Sequence, residues 1–397
     1  MSRVLNDWIK AYVDYASFSE APRRMHFWSG VSAVAGALRR RVWFDMSYFR
    51  WSPNFYIIFV APPGIVSKST TAAIAMNLLR EVPGINFGPD VVTWQGLITT
   101  FAACGECFQI GEEYFPMSAI TLESSEFGNL LDPRDRSMVD LLVSLWDGKQ
   151  GAFSKVTKAS GNDTVENPWI NLIACTTPSW IAGNFPEYVI GGGFTSRCIF
   201  VYADKKDRLV PYPFLTVPKG LSDVRKTLVK DLEHIATNLM GPYTLSPEAI
   251  EWGSLWYENH HTNSQADDER LGGYQARKQT HLHKLAMVLA ASCRDEMIIQ
   301  VEDLVVADKM LTDIEGDMSK VFTQIGKTDS SVHAGRFISY IQRRGKIPYE
   351  EAYRFVHAYF PDLKDFEGMV SGTIRAGYVE LIQEGTVVYL QAKVVDK

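Results

Sequence analysis

The segment Ala61-Pro-Pro-Gly-Ile-Val-Ser-Lys-Ser-Thr70 sets a lysine among hydroxyls directly after the apolar run Phe55–Val60. Residues of these types, on a turn between a strand and a helix, suit the holding of a phosphate chain. Successive backbone N–H groups curl round one phosphate, a lysine reaches the outer oxygens and a hydroxyl ligates Mg²⁺. Lys68 is then the amine and Ser69 the metal-ligating hydroxyl, with Pro63, Gly64, Ile65, Val66, Ser67 and Thr70 as the surrounding loop.

The pattern G-x-x-x-x-G-K-[ST] calls for glycine where this chain has Pro62 and Ser67, and Gly64 lies between them. The context fits better than the letters. A buried strand precedes the loop, and Thr70–Leu79 follows with helical periodicity, so a helix N-terminus faces the loop.

Three further stations bear on the same chemistry. Ala119-Ile-Thr-Leu-Glu-Ser-Ser-Glu126 is a short β-prone run ending in carboxylates, and Glu126 is the candidate to activate water. Ser125 stands where a metal-ordering aspartate is usual, so either Glu123 substitutes or Ser69 and water hold the metal alone. The plainer alternative makes Glu123 and Glu126 solvated residues at a strand end. Asn167–Pro178 reads as a buried strand ending in Thr176 and Thr177. Either hydroxyl could sense a γ-phosphate, or the pair could simply finish the strand by bonding local backbone. Gly191-Gly-Gly-Phe-Thr-Ser-Arg197 puts an arginine on a glycine turn before another β-run. There it either reaches the phosphate of a neighbouring subunit or forms a surface salt bridge.

The elements that must position these groups follow from the hydropathy pattern. Residues 5–42 read as two helices, part of a helical collar over 1–53. From 54 to 215, short apolar runs alternate with amphipathic stretches, which predicts an α/β core with a parallel sheet buried on both faces. Residues 216–326 carry no convincing strand and read as a helical lid. After the polar stretch Gly326–Ser331, residues 327–397 show three helical patterns (332–344, 349–359 and 364–376) and a strand pair about Gly385, which together describe a winged-helix-like module.

Composition narrows the field. The 397 residues exceed one ordinary domain of ~100–200 residues, and the hydrophobic (46%) and charged (22%) contents are those of a soluble protein. No apolar run is long enough for a membrane span and no secretory signal is evident, so a cytoplasmic protein without membrane contact is expected. The five cysteines suit free thiols in a reducing compartment, and the single Cys104-Gly-Glu-Cys107 pair lacks partners for a zinc site. The net charge of −6 excludes a uniformly basic surface but leaves local patches such as Arg39-Arg40-Arg41 or Arg343, Arg344 and Lys346. The tryptophans read as core, and His281 and His283 face apart on a helix, which argues against a metal site.

In the order of its parts the chain resembles the AAA+ P-loop ATPases. It is most similar to the phage and prophage helicase-like ATPases with a helical leader, "LRRRVWFD", a strand and a PPG-x-x-x-KST loop. The resemblance spans roughly residues 20–315. It implies a Walker A lysine at Lys68 with Ser69, a Walker B glutamate at Glu126, a sensor at Thr176 and an arginine finger at Arg197. A second sensor falls at Arg277, with Lys278 as the alternative; the plainer reading has Arg277 only dress the polar face of its helix. The implied activity is ATP hydrolysis with Mg²⁺ by a homo-oligomer, a ring or a helical assembly, because the finger acts in trans, and a hexameric ring is expected. The implied work is phage-type DNA replication in the bacterial host cytoplasm, as a helicase, helicase loader or initiator beside other replication proteins. Helix 364–376, with Arg375 at its end, is the candidate DNA reader, or the tail is a protein adaptor. The alternatives are a nucleotide-binding adaptor with little turnover and a defence or packaging ATPase.

Overall fold

The computed structural model describes residues 2–148, 151–157, 161–185, 189, 193–217, 219–263, 271–322 and 329–393. They fall into two units, Met1–Thr323 and Gln324–Lys397. The strands of the first unit are β1 (Val42–Asp45), β2 (Arg50–Trp51), β3 (Tyr56–Val60), β4 (Gly105–Ile110), β5 (Glu113–Ser124), β6 (Ala152–Thr157), β7 (Gly161–Glu166), β8 (Pro168–Thr176), β9 (Cys198–Tyr202), β10 (Gly241–Leu245) and β11 (Ile298–Ile299).

The central sheet runs β4-β5-β8-β3-β9. β5, β8, β3 and β9 are parallel, and β4 forms an antiparallel hairpin with β5. β3 and β8 are buried at every position, as the continuous apolar runs require of strands covered on both faces. The chain leaves β3 for β5, returns through β8 between them, and then passes beyond β3 to β9. The connections after β3 and β8 therefore run to opposite sides, which makes the carboxyl edge between these two strands the topological switch point, the place where such sheets bind ligands. The expected mixed α/β architecture with parallel strands is present.

Helix α1 (Trp8–Ala16) packs on α2 (Arg23–Leu38), and α2 packs on α3 (Lys68–Arg80). α2 is buried over thirteen of its sixteen residues. It touches α3 closely at Gly36, where an added Cβ would stand 2.4 Å from Leu79 Cδ2. Asn171 of β8 ties the layers together. Its Nδ2 donates to Ser32 O (3.1 Å) and Ser32 Oγ (3.0 Å), and its Oδ1 accepts from Phe55 N (3.2 Å).

Residues 216–326 are not all helical. β10 and β11 lie there and join β1 and β2 in a four-stranded sheet ordered β11-β10-β1-β2. That sheet links the segment read as a collar to the segment read as a lid within one unit. Gly241-Pro-Tyr-Thr-Leu is short and opens with two strand-averse residues, which hid it from the pattern. The Cys104–Cys107 stretch runs from the C-cap of helix α4 (Trp94–Ala103) into β4.

In the second unit, helices Asp329–Arg344, Tyr349–Val356 and Leu363–Arg375 pack with β12 (Lys346–Pro348), β13 (Val379–Glu384) and β14 (Val387–Ala392), in the sheet order β12-β14-β13. Phe337, Ile341, Val356, Phe366, Val370 and Leu390 form its core. Gly385 takes φ +61° at the hairpin turn, a conformation glycine adopts at little steric cost. Three helices closed by a hairpin is the arrangement the sequence predicts, with β12 too short to have shown. Residues 326–328 of the expected linker lie outside the described residues, and a helix begins at Asp329.

Candidate nucleotide site

Val60 ends β3 level with Thr176 of β8 and Tyr202 of β9. Ala61 N donates to Thr176 O (3.4 Å), so the loop starts against the neighbouring strand end. Val66 is buried and anchors the loop, while Pro63, Gly64, Ile65, Ser67, Ser69 and Thr70 are exposed. Gly64 has φ +70° and open space where a Cβ would be. α3 begins at Lys68, and its N-cap Ser67 makes no side-chain capping bond. Lys68 N donates to Val66 O (2.9 Å), which leaves the amides of Ser69 and Thr70, at the positive end of the helix dipole, without a side-chain cap.

Lys68 Nζ donates to Ala61 O (2.9 Å) and Pro62 O (3.5 Å), lying back along its own loop. Burial lowers its ammonium pKa, opposed by Cys175 and Glu126 close by. Glu126 is exposed and stands at the N-cap position of helix α5 (Phe127–Leu130) without a side-chain capping bond, and Ser124 Oγ donates to Glu126 O (2.8 Å) to fix that turn. Glu123 is held by Arg80 at 3.0 Å, and the same guanidinium lies 3.8 Å from the centre of the Phe87 ring. For Glu123 to reach a metal it must first leave Arg80.

Cys175, read from sequence only as a core thiol, is the residue these groups share. Burial pushes its thiol up to about 12; Lys68 acts against that, and Glu123 and Glu126 add to it. Its place beside Thr176 at a strand end was the available signal. The two threonines separate cleanly. After helix α6 (Arg136–Asp147) and β8, Thr177 Oγ1 accepts from Trp180 N (3.1 Å) as the N-cap of helix α7 (Pro178–Asn184), whereas Thr176 ends β8 beside the loop, 3% exposed.

Arg197 departs from the expectation of a free rim and equally from that of a surface ion pair. It is 5% exposed, donates to Asp147 Oδ1 (2.9 Å) and Oδ2 (2.7 Å), and lies 5.6 Å from the Trp146 ring centre. It precedes Cys198, which pairs with Tyr56 at the amino end of β3. A five-residue strand, roughly 16 Å long, separates it from the phosphate loop of its own chain. Of the triple glycine, Gly191 and Gly192 lie outside the described residues, and Gly193 O accepts from Arg197. Arg277 joins this same far cluster. Burial lowers its guanidinium pKa, Arg197 lowers it further and Asp147 opposes. Its helix is docked there by His281 Nε2 on Ser196 O (3.1 Å) and Lys284 Nζ on Asn54 Oδ1 (2.7 Å), so Arg277 does not overhang the loop of its own chain. Lys278, the alternative, pairs with Glu315 at 2.9 Å.

The Arg39-Arg40-Arg41 run is not a basic patch. Arg39 pairs with Glu106 (2.8 Å), Arg40 donates to Pro168 O and Gly148 O, and Arg41 donates to Ala236 O. These are structural ties, made because buried and partly buried guanidinium groups need acceptors. Lys346 of the second patch pairs with Glu384.

Among the described residues no group of three or more His, Cys, Asp or Glu could hold a metal ion, and no helix is long and apolar enough to cross a membrane. Mg²⁺ on a phosphate chain keeps waters and takes only one or two protein oxygens. Ser69, exposed in the first turn of α3, fits that role. The arrangement can bind a phosphate chain by amide, amine and hydroxyl, with a solvent-reachable carboxylate beside it. No family model and no curated protein matches the chain.

Proposed function

We propose that the chain is an oligomeric ATPase of the AAA+ P-loop type, working as a motor in phage-type DNA replication. One observation carries the reading: the uncapped start of α3, with Lys68, opens at the sheet's topological switch point beside Thr176 and Glu126. Bound Mg²⁺ would supply charge neutralisation for the phosphates, with Ser69 as its protein ligand. Lys68 leaves the carbonyls of Ala61 and Pro62 and takes phosphate oxygens in their place. Glu126 orients a water and accepts its proton as the oxygen attacks the terminal phosphorus and the bond to the bridging oxygen breaks. Thr176 hydrogen-bonds the terminal phosphate. Arg197 and Arg277, remote from their own loop, are offered to a neighbour's nucleotide once Asp147 releases Arg197.

The client is DNA on this reading, whereas the second unit suits an adaptor. Its candidate reading helix exposes Lys364 and Arg375 but also Asp365 and Glu367, and residues 376–392 of the hairpin contain no lysine or arginine. A second reading, a nucleotide-binding adaptor with little turnover, is favoured by Pro62 and Ser67 at the glycine positions and by the Arg80–Glu123 pair.

Steady-state ATP turnover and labelled-ATP binding, with Lys68→Ala and Glu126→Gln beside the wild type, test the proposal. Lys68→Ala is expected to lose both binding and turnover, and Glu126→Gln to bind normally with turnover down at least 100-fold, within the range of ~10²–10⁴ for a lost general base. Wild-type turnover no faster than that of either variant would leave the adaptor.

A further inference from the structure

The first unit carries two apolar features that the nucleotide site does not use. One is a cavity of about 930 Å³ bounded by α1, α2 and the helices Lys278–Cys293 and Val301–Phe322. Ile9, Val13, Phe27, Leu289, Val306 and Met310 make its apolar lining. Around its mouth, Arg24 pairs with Asp317 and Arg294 with Asp303, while Asp7, Lys10, Glu302, Lys309 and Asp313 add charges of both signs to the rim.

The other feature is an arm, Leu209–Val217. Leu209 is 79% exposed, Tyr212 61%, Phe214 76% and Leu215 71%, and no charged residue lies between Arg208 and Lys219. The arm has a defined shape. Leu215 N donates to Tyr212 O (3.0 Å) and Val217 N to Pro213 O (3.2 Å) about a short helical turn. Its root is clamped by Val210 N on Glu20 Oε1 (2.9 Å) and Arg208 Nε on Ser19 O (3.1 Å).

We propose that the arm of one copy seats in the cavity of a second copy, so that the chain associates with itself through this contact. The arm's side chains expose on the order of 600 Å², taking aromatic side chains at 150–250 Å² each. Counting the surface they would cover, the contact totals about 1,200 Å², the lower bound of a specific interface. Patches this apolar are rarely left open on a monomer. Donor and acceptor lie on the same chain, which makes every copy a supply of both. The inference rests on surface chemistry alone, so it stands or falls separately from nucleotide binding.

Sedimentation velocity of the full chain without nucleotide, at micromolar concentration, tests it with an arm variant, Phe214→Asp, and a groove variant, Val306→Glu with Met310→Glu. All three positions have exposed or half-exposed side chains, and unchanged thermal melting verifies the fold; Leu215→Asp replaces the arm variant should it misfold. The wild type is expected to be oligomeric. Each variant alone should associate about 30-fold more weakly or worse, the scale of losing an interface hot spot. A 1:1 mixture should form dimers, because one intact arm and one intact groove remain. A wild type that stays monomeric, variants that assemble like the wild type, or a mixture that stays monomeric would each overturn the proposal.

Discussion

At the scale of single residues, neighbouring hydroxyls and carboxylates divide their work. Thr177 is spent on the N-cap of α7, while Thr176 stands beside the phosphate loop. Thr177→Ala should therefore cost about 1 kcal/mol of stability, the usual value of a lost cap, and leave turnover within a few-fold. Thr176→Val should do the reverse, keeping the melting temperature and cutting turnover at least 10-fold; equal effects of the two on turnover would remove Thr176 from the site. Sequence could place Lys68 and Ser69 at a helix start after a buried strand, and Glu126 just past a strand end, because these elements are contiguous in the chain and carry their own periodicity. It could not tell Thr176 from Thr177, nor show that Arg80 holds Glu123, because those facts are set by partners distant in sequence. Cys175 was hidden for the same reason. A buried thiol at a strand end looks like core until Lys68 is found beside it.

At the scale of elements, Glu126 is placed by the helix it precedes. It stands at the N-cap position of α5 without a side-chain capping bond, and a Cβ on Gly128 of that helix would stand 2.8 Å from Trp180 Nε1 in α7, with two more indole atoms within 3.1 Å. Gly128→Val must push α5 away from the ring, with an overpacking cost of about 1–3 kcal/mol. The carboxylate should move with it, so turnover should fall more than nucleotide affinity; a loss confined to affinity would refute this route. The helices also carry a pH dependence. Burial, with Arg23 adding, holds His26 of α2 at about 4, and burial holds His281 of helix Lys278–Cys293 at about 3, against an ordinary 6.5. As the pH falls below 6.5 the unfolded chain takes up protons that the folded chain refuses, so stability falls toward acid. His26 alone accounts for about 3 kcal/mol by pH 4, at ~1.4 kcal/mol per pKa unit. Denaturant unfolding should give a lower stability at pH 5 than at pH 7, with a shallower slope for His26→Gln, which cannot titrate. Identical slopes would show that His26 charges freely in the folded state.

At the scale of the whole molecule, the sequence revealed the α/β core and the three-helix tail because long buried runs and amphipathic helices announce themselves locally. The sheet β11-β10-β1-β2 escaped because its strands are two to five residues long and come from three distant parts of the chain. The same non-locality decides how Arg197 can act. Its guanidinium lies at the amino end of the sheet, turned onto Asp147, and the phosphate loop lies at the carboxyl end of the same strands. Within one chain the two cannot meet, so any catalytic role for Arg197 has to be played across a subunit boundary. That requirement has a consequence that pure subunits do not display. Lys68→Ala lacks a working loop and Arg197→Ala lacks the finger, so each alone should be nearly inactive. In a mixture, the intact loop of the Arg197 variant meets the intact arginine of the Lys68 variant, and part of the turnover should return. Arg197→Ala also leaves Asp147 without its buried partner, so nucleotide binding and melting are measured beside turnover to separate lost catalysis from lost fold. If Arg197→Ala binds ATP and melts normally yet the mixture recovers nothing, the arginine serves only the Asp147 pair, and the charge that assists hydrolysis comes from elsewhere in the chain.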